Sequence, residues 1–238
     1  MNSKAKELGM SNTIYANSTG LPAPMQYSTA RDCAMILSAI IPNETYHQYS
    51  SVWMDELIHP SGRKTEIVNT NRLTRYYQGC DSGKTGFTDE AGFCLASSVY
   101  RNDMRLVGVV IGAKNSNERF NQSVKMFNWG FANFSNEQIL STETELATIS
   151  VKRSEISEVK VFASENFYGL VKKGEDSQWA VSTQIDESIT APQKAGNKVG
   201  VATITKNGVI VKEIEIVISQ DINQLTFGQS FKKVVGKW

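Results

Sequence analysis

The feature that most constrains this chain is the stretch of residues 79–89, in which Lys84, Thr85 and Gly86 follow one another. An apolar run over residues 93–99 comes soon after it. Alternation across the triplet predicts an extended strand edge, where Lys84 and the Thr85 hydroxyl could point at one anion. Gly86 would let the backbone of a ligand approach closely. A surface β-turn with a solvated lysine is the alternative interpretation.

Length and composition exclude several classes of protein. The 238 residues are 40% hydrophobic and 21% charged, which is typical of a globular chain with one large domain or two ordinary ones. A net charge of +1 gives no reason to expect a nucleic-acid partner. The three cysteines form no Cys-x-x-Cys pair, which argues against a disulfide framework and a zinc site. We expect no metal and no cofactor. The chain has no apolar run of about 18 residues, so we expect no membrane-spanning helix.

The first forty residues predict two helices separated by a loop. Residues 1–9 are expected to be helical and to end at Gly9. A chain that begins within a helix is expected to be a fragment, with Met1 an internal methionine. Residues 10–27 are rich in turn formers, and Ser28 or Thr29 is expected to cap a second helix, with Thr29 and Asp32 fitting the capping pattern. That helix is apolar nearly all round over residues 33–41, which predicts burial on most of its sides.

The middle of the chain predicts strands followed by one long helix. Two short strands are expected within residues 50–77, and residues 93–99 and 104–111 are expected to form a hairpin attached to the Lys84 strand. Residues 117–134 are expected to form a helix that packs on this sheet through apolar side chains recurring on one face. They are Phe120, Val124, Phe127 and Phe131.

Arg119 lies in the first turn of that predicted helix. The helix dipole does not favour a cation at this end. A basic residue placed there, next to free backbone N–H groups, could bind an anion. A solvated surface arginine is the alternative interpretation.

From about residue 135 the pattern changes to short alternating runs separated by turns, which predicts a small all-β domain up to about residue 220. This part has no cluster of histidines, cysteines or carboxylates, and we expect no chemistry in it. The tail over residues 222–238 mixes apolar residues with lysines and ends in Trp238. It is expected to form an amphipathic helix, either on a membrane surface or docked on its own domain.

Several segments together resemble a known family. They are residues 1–9, 12–13, 18–21, 27–32, 69–73, 81–93, 104–107, 116–120 and 129–131. In order and spacing the chain resembles the serine-type D-Ala-D-Ala carboxypeptidases of peptidase family S11, the low-molecular-mass penicillin-binding proteins, without their N-terminal third. The resemblance is specific over residues 1–134 and extends in type to the β-rich part and the tail.

The resemblance implies an α+β fold. An antiparallel sheet flanked by helices, as in penicillin-recognising serine enzymes, would be followed by a small all-β domain. The implied domains are residues 1–135, the C-terminal part of the catalytic domain, residues 136–221, a β-rich domain, and residues 222–238, an amphipathic tail.

The resemblance also implies a mechanism and a site. In the family a serine attacks the peptide bond between two terminal D-alanines, an acyl-enzyme forms, and water then hydrolyses the ester. Lys84, Thr85 and Gly86 match the family's third motif, in which the lysine supplies positive potential and the threonine holds the terminal carboxylate. The N–H of Phe87 would be one of two oxyanion donors. Arg119 matches an arginine that pairs with the carboxylate.

The family's other two motifs, Ser-x-x-Lys and Ser-x-Asn, have no counterpart at the required positions of this chain. The literal spacings that do occur are Ser3 with Lys6, Ser61 with Lys64, Ser230 with Lys233, and Ser164-Glu165-Asn166. We reject all four, because none precedes Lys84 at the family's distance. The chain by itself is therefore expected to be inactive.

The implied partners are a peptidoglycan stem peptide ending in D-Ala-D-Ala, β-lactams in the full-length enzyme, and a membrane surface through the tail. The implied location is the extracytoplasmic face of a bacterial membrane. Two other hypotheses remain open at this point: a non-catalytic peptidoglycan-binding or envelope-interaction protein on the same scaffold, and a chance likeness in an unrelated two-domain secreted protein.

Overall fold

The computed structural model describes residues 1–176 and 178–229. The chain divides into two compact units, Met1–Phe134 and the residues from Ser135 onward, which are called the first and second unit below. The first unit combines helices with antiparallel sheets, and the second is made of strands. The predicted α+β class is confirmed.

The first unit contains five helices and five strands among the described residues. The helices are α1 (Asn2–Glu7), α2 (Ala30–Ile40), α3 (Glu44–Ser50), α4 (Leu73–Tyr76) and α5 (Ser116–Asn133). The strands are β1 (Met54–Ile58), β2 (Lys64–Val68), β3 (Cys80–Thr88), β4 (Gly92–Arg101) and β5 (Met104–Ala113). β1 and β2 pair as a separate hairpin, and β3, β4 and β5 form one antiparallel sheet in that order.

The predicted hairpin on the Lys84 strand is confirmed, because β4 pairs with β3 on one side and with β5 on the other. Helix α5 packs on β4 and β5. The side chains of Phe120 and Phe127 on α5 form a buried cluster with Leu95 and Val99 of β4. The predicted apolar face of α5 is therefore the face that covers the sheet.

The expectation that α2 is buried on most sides is wrong. Its start is as predicted, since the Thr29 side chain caps the helix by accepting from the Asp32 N–H at 3.1 Å. Only Asp32 and Leu37 are buried, whereas Ile36 and Ile40 are 38% and 42% exposed. An apolar residue becomes buried only when another element covers it, and the main contacts of α2 are with β4 and β5 on one side.

The second unit is built from a six-stranded sheet and a strand pair. Its strands are β6 (Phe134–Leu140), β7 (Ala147–Lys152), β8 (Glu158–Ala163), β9 (Phe167–Lys172), β10 (Trp179–Ile185), β11 (Ser188–Thr190), β12 (Lys198–Lys206) and β13 (Val209–Ile218). The large sheet has the order β10-β12-β13-β8-β7-β11, and β6 pairs with β9. Alternate side chains of β13, at Ile214, Ile216 and Ile218, lie in its core.

The predicted tail is described only in part. Ile222 and Gln224 form isolated bridges with Gln193 and Ser154 of the second unit. Residues 230–238 of the tail lie outside the described residues, and with them Lys232, Lys233 and Trp238. Within the part of the chain that is described, no helix combines the length and apolar character needed to cross a bilayer.

Candidate functional site

The predicted site triplet lies on β3, at one edge of the three-stranded sheet. Lys84 is opposite Ala96 of β4, Thr85 is opposite Leu95, and Gly86 is opposite Cys94. The predicted strand edge is confirmed. An edge strand presents backbone N–H and C=O groups on its unpaired side, and an extended peptide can pair with such groups.

Lys84 and Thr85 leave the strand on opposite faces, because cross-strand partners share a face and successive residues alternate. Thr85 lies on the face of the fully buried Leu95 and is itself only 7% exposed. Lys84 is exposed, and its ammonium donates a hydrogen bond to the backbone carbonyl of Thr85. The convergence of both side chains on one anion stays a prediction.

Gly86 borders open space. A Cβ built at this position would meet no atom within 4 Å. The next side chain, Phe87, is 54% exposed and packs against the Phe93 ring, with 4.3 Å between ring centroids. The surface beside Gly86 is therefore free for a ligand that lies along β3.

The Thr85 hydroxyl has one partner that the sequence analysis did not assign. Its Oγ1 lies 2.8 Å from the Oγ1 of Thr70, which follows β2 in the chain. Thr70 lies in the segment 69–73, one of those that carry the family resemblance, but the resemblance implies no role for it. Nothing in the sequence places residues 70 and 85 side by side, since this contact depends on how the β1–β2 hairpin returns to the sheet.

The part of β3 that precedes the triplet is held by the buried side-chain amide of Asn71. Asn71 is 1% exposed, and its Nδ2 donates to the Ser82 carbonyl at 3.4 Å. Gly83 has φ +151°, and a Cβ added there would lie 2.5 Å from the Ala96 carbonyl oxygen. The Asn71 side chain and the β4 backbone thus leave no room for a side chain at position 83.

A one-residue bulge precedes this close approach. Cys80 is opposite Val99 and Ser82 is opposite Ser98, so Asp81 is the extra residue. Arg105 binds both Asp81 carboxylate oxygens, at 2.9 Å and 2.8 Å. The two contacts fix the bulge in place by a bidentate ion pair.

Arg119 is buried, and the interpretation as a solvated surface arginine is wrong. The residue is 8% exposed, and its Nη1 donates to the carbonyls of Gly86 at 3.2 Å and Cys94 at 3.3 Å. Its guanidinium carbon lies 4.9 Å and 5.5 Å from the ring centroids of Phe120 and Phe93. Arg119 therefore connects α5 to a pair of opposed residues on β3 and β4.

Burial also determines the electrostatics of Arg119. Loss of solvent lowers its pKa, and the neighbouring Arg72 charge lowers it further. The Nε of Arg119 is buried and has no hydrogen-bond partner. The predicted pairing with a substrate carboxylate stays a prediction, since the contacts present are with backbone carbonyls and with Ser116.

Cys80 is not available as a nucleophile at neutral pH. It is 7% exposed, and burial raises the pKa of its thiol to about 11. The thiol therefore stays protonated, and a thiol is a far weaker nucleophile than a thiolate. Across residues 1–176 and 178–229, no group of three or more histidine, cysteine or carboxylate residues could hold a metal ion.

The serines that have the spacing of a Ser-x-x-Lys or Ser-x-Asn motif lie in separate parts of the chain. Ser3 is in α1, Ser61 is in the turn between β1 and β2, and Ser164 follows β8 in the second unit. Ser230 lies outside the described residues. The Lys84 ammonium instead donates to the backbone carbonyl of Thr85.

Two protein-family models match the chain. One, described as D-alanyl-D-alanine carboxypeptidase, matches residues 1–115. The other, described as penicillin-binding protein 5, C-terminal domain, matches residues 134–224.

Curated relatives extend the likeness over both units. The D-alanyl-D-alanine carboxypeptidase DacF of Bacillus subtilis is 32% identical over 239 residues, which cover 100% of this chain and 61% of DacF. The D-alanyl-D-alanine carboxypeptidase DacC of Escherichia coli is 33% identical over 229 residues, which cover 94% of this chain and 56% of DacC. The chain thus spans less than two thirds of the length of these relatives.

Solved structures agree with this likeness. The structure of penicillin-binding protein 5 from Haemophilus influenzae is 27% identical and has a TM-score of 0.60. The match covers 94% of this chain and 64% of that protein's chain. The structure of the Streptomyces K15 DD-transpeptidase is 29% identical and has a TM-score of 0.52. The match covers 55% of this chain and 52% of the transpeptidase chain.

Proposed function

We infer that the chain belongs to the D-alanyl-D-alanine carboxypeptidase family, and we propose that its protein removes the terminal D-alanine from peptidoglycan stem peptides ending in D-Ala-D-Ala. The observation that carries the proposal is the edge strand β3, which has Lys84-Thr85-Gly86 at its centre and open space beside Gly86. A peptide lying along this edge would bring its terminal carboxylate to the triplet.

The proposed role of these residues is to bind and polarise the substrate. Thr85 donates to the terminal carboxylate, and the exposed Lys84 supplies positive potential. The N–H of Phe87 donates to the oxygen of the scissile carbonyl as negative charge develops on it. Arg119 lies behind Gly86 and adds a second positive charge to this side of the site.

The proposed reaction needs a serine that these residues do not supply. The serine oxygen bonds to the carbonyl carbon of the penultimate D-alanine, the C–N bond breaks, and free D-alanine leaves after its nitrogen gains a proton. Water then cleaves the ester and restores the serine. No Ser-x-x-Lys pair of this chain matches the family's position, so we propose that the 238 residues alone are inactive.

β-Lactam labelling tests this function. The complete gene product is expected to form a covalent adduct with a fluorescent penicillin and to release D-alanine from a D-Ala-D-Ala peptide. The 238-residue chain alone is expected to form no adduct, because an ester needs the serine. Fluorescence of the denatured protein on a gel is the measurement.

Two outcomes would contradict these proposals. A labelled band from the 238-residue chain that survives denaturation would show that its residues contain a nucleophile. A complete gene product that neither binds penicillin covalently nor releases D-alanine would instead favour a non-catalytic peptidoglycan-binding or envelope protein. The coding sequence directly upstream of Met1 separates these cases, since an in-frame Ser-x-x-Lys and Ser-x-Asn region supports the enzyme.

Arg119→Ala in the complete gene product is expected to slow D-alanine release about tenfold and to slow acylation by a β-lactam less. The reason is that the proposed carboxylate contact of Arg119 serves the peptide, whereas Thr85 holds the carboxylate of the drug. The rates of D-alanine release and of penicillin acylation are the measurements. Arg119→Lys, which keeps the charge, is the matched control, and equal losses for both ligands would argue against this role.

The cellular setting follows from the same proposal. An enzyme acting on peptidoglycan stem peptides would work in the extracytoplasmic cell envelope of a bacterium. A membrane surface, reached through the tail over residues 222–238, is a further proposed partner.

A further inference from the structure

The hydroxyl groups of Thr70 and Thr85 lie 2.8 Å apart, and Thr70 has no part in the reaction proposed for the site. We propose that Thr70 is a positioning residue that directs the hydroxyl proton of Thr85 towards the terminal carboxylate of the substrate. The inference rests on the proposed function, because it assumes that Thr85 binds that carboxylate.

The number of protons on the two hydroxyls limits which hydrogen bonds they can donate. A threonine hydroxyl has one proton to donate and two lone pairs that accept. In a pair of hydroxyls, one proton must lie between the two oxygens, and it belongs to either Thr70 or Thr85. If Thr85 donates to Thr70, it has no proton left for a carboxylate. If Thr70 donates, the proton of Thr85 is free.

A bound carboxylate selects the second arrangement. It can only accept hydrogen bonds, so it stabilises the chain in which Thr70 donates to Thr85 and Thr85 donates to the carboxylate. Each hydrogen bond in such a chain polarises and strengthens the next. The bond to the charged oxygen is also the stronger kind.

The surroundings of Thr70 hold its hydroxyl in position. Asn69 Nδ2 donates to the carbonyls of Ser50 and Val52, at 3.2 Å and 3.0 Å. On the other side, Asn71 is 1% exposed and binds the Ser82 carbonyl of β3. The residues on both sides of Thr70 are thus tied to neighbouring backbone, so the backbone of Thr70 is already ordered and only its side-chain rotamer must be fixed to reach Thr85.

Burial makes the arrangement important for Thr85. Thr85 is 7% exposed, whereas Thr70 is exposed. Water can therefore bind both lone pairs of the donating Thr70 hydroxyl, while the buried Thr85 oxygen depends on its protein partner. Removing the Thr70 hydroxyl would leave the Thr85 proton without a fixed direction.

The test compares two substrates in the complete gene product. One is an N-acylated peptide ending in D-Ala-D-Ala, and the other is the same peptide with its terminal carboxylate converted to an amide. Thr70→Val keeps the β-branched shape and removes the hydroxyl. It is expected to raise KM for the acid about tenfold, with kcat and the kinetics of the amide changed less than about twofold.

Two further variants make the result specific. Thr70→Ser restores a hydroxyl and is expected to return KM for the acid to near the wild-type value. Thr65→Val is the matched control, because the Thr65 hydroxyl lies on the same hairpin but bonds to His59 rather than to Thr85.

Several outcomes would overturn the inference. Equal losses for the acid and the amide would indicate a merely structural role, and failure of Thr70→Ser to restore KM would exclude the hydroxyl as the cause. An unchanged KM in Thr70→Val would also exclude it. If the wild-type gene product releases no D-alanine, the proposed function itself fails and the inference falls with it. If the wild-type protein is active and Thr70→Val leaves its KM unchanged, the inference fails while the proposed function stands.

Discussion

Gly86→Ala is expected to lower kcat/KM for D-alanine release about a hundredfold in the complete gene product while leaving its melting temperature unchanged. An added Cβ at Gly86 meets no protein atom within 4 Å, so the fold has room for the methyl group. The methyl group would occupy the space in which we propose that the substrate backbone lies along β3. Displacing the scissile bond by about 1 Å is enough for a loss of this size.

Steady-state kinetics and thermal unfolding of the same preparation check this prediction. Gly228→Ala is the matched control, since a Cβ at Gly228 also meets nothing within 4 Å and the residue lies outside the first unit. If Gly86→Ala keeps full activity, the substrate does not approach this strand as proposed. If it lowers the melting temperature by many degrees, the loss of activity has a structural cause.

Gly83→Ala, three residues earlier on the same strand, is expected to destabilise the first unit by about 3 kcal/mol. Its backbone has φ +151°, a conformation that residues with a side chain rarely adopt. The new Cβ would lie 2.5 Å from the Ala96 carbonyl oxygen and 2.8 Å from Asn71 Nδ2. The first atom is backbone, and the second ends a buried side chain that is held by its own hydrogen bonds, so the β3–β4 pairing would have to shift.

Urea unfolding of the chain, followed by circular dichroism, measures this change. Gly86→Ala serves here as the matched control on the same strand. If Gly83→Ala lowers the free energy of unfolding by less than about 1 kcal/mol, β3 and β4 can move apart locally to admit the methyl group at little energetic cost. That result would contradict the close approach at residue 83.

The sequence predicts those elements that local pattern determines. The strands β3, β4 and β5 follow alternating or apolar runs separated by turns, and α5 follows the spacing of Phe120, Val124, Phe127 and Phe131. Thr29 caps α2 as expected. In each case the residue spacing or the cap lies within a single helix or strand, so the local sequence is enough to predict that element.

Prediction from the sequence fails where burial or a contact depends on which other element covers a residue. Nothing local shows that Arg119 is 8% exposed beneath aromatic rings, or that Ile36 and Ile40 of α2 stay exposed. The short helix α3 is missed, although its N-cap Asn43 follows a proline and is a usable signal. The pairing of Thr70 with Thr85 joins residues from separate elements, and only the folded chain brings them together.

The bulge at Asp81 has a consequence for how this protein can vary in evolution. Because side chains alternate along a strand, deleting one residue between Cys80 and Gly83 would either pull Asp81 and Asn71 out of their contacts or exchange the faces that Lys84 and Thr85 occupy. Apart from Gly83, where a side chain does not fit, substitutions before the triplet can preserve the site, whereas insertions and deletions cannot. Across related genes, the number of residues in this segment should therefore vary less than their identities.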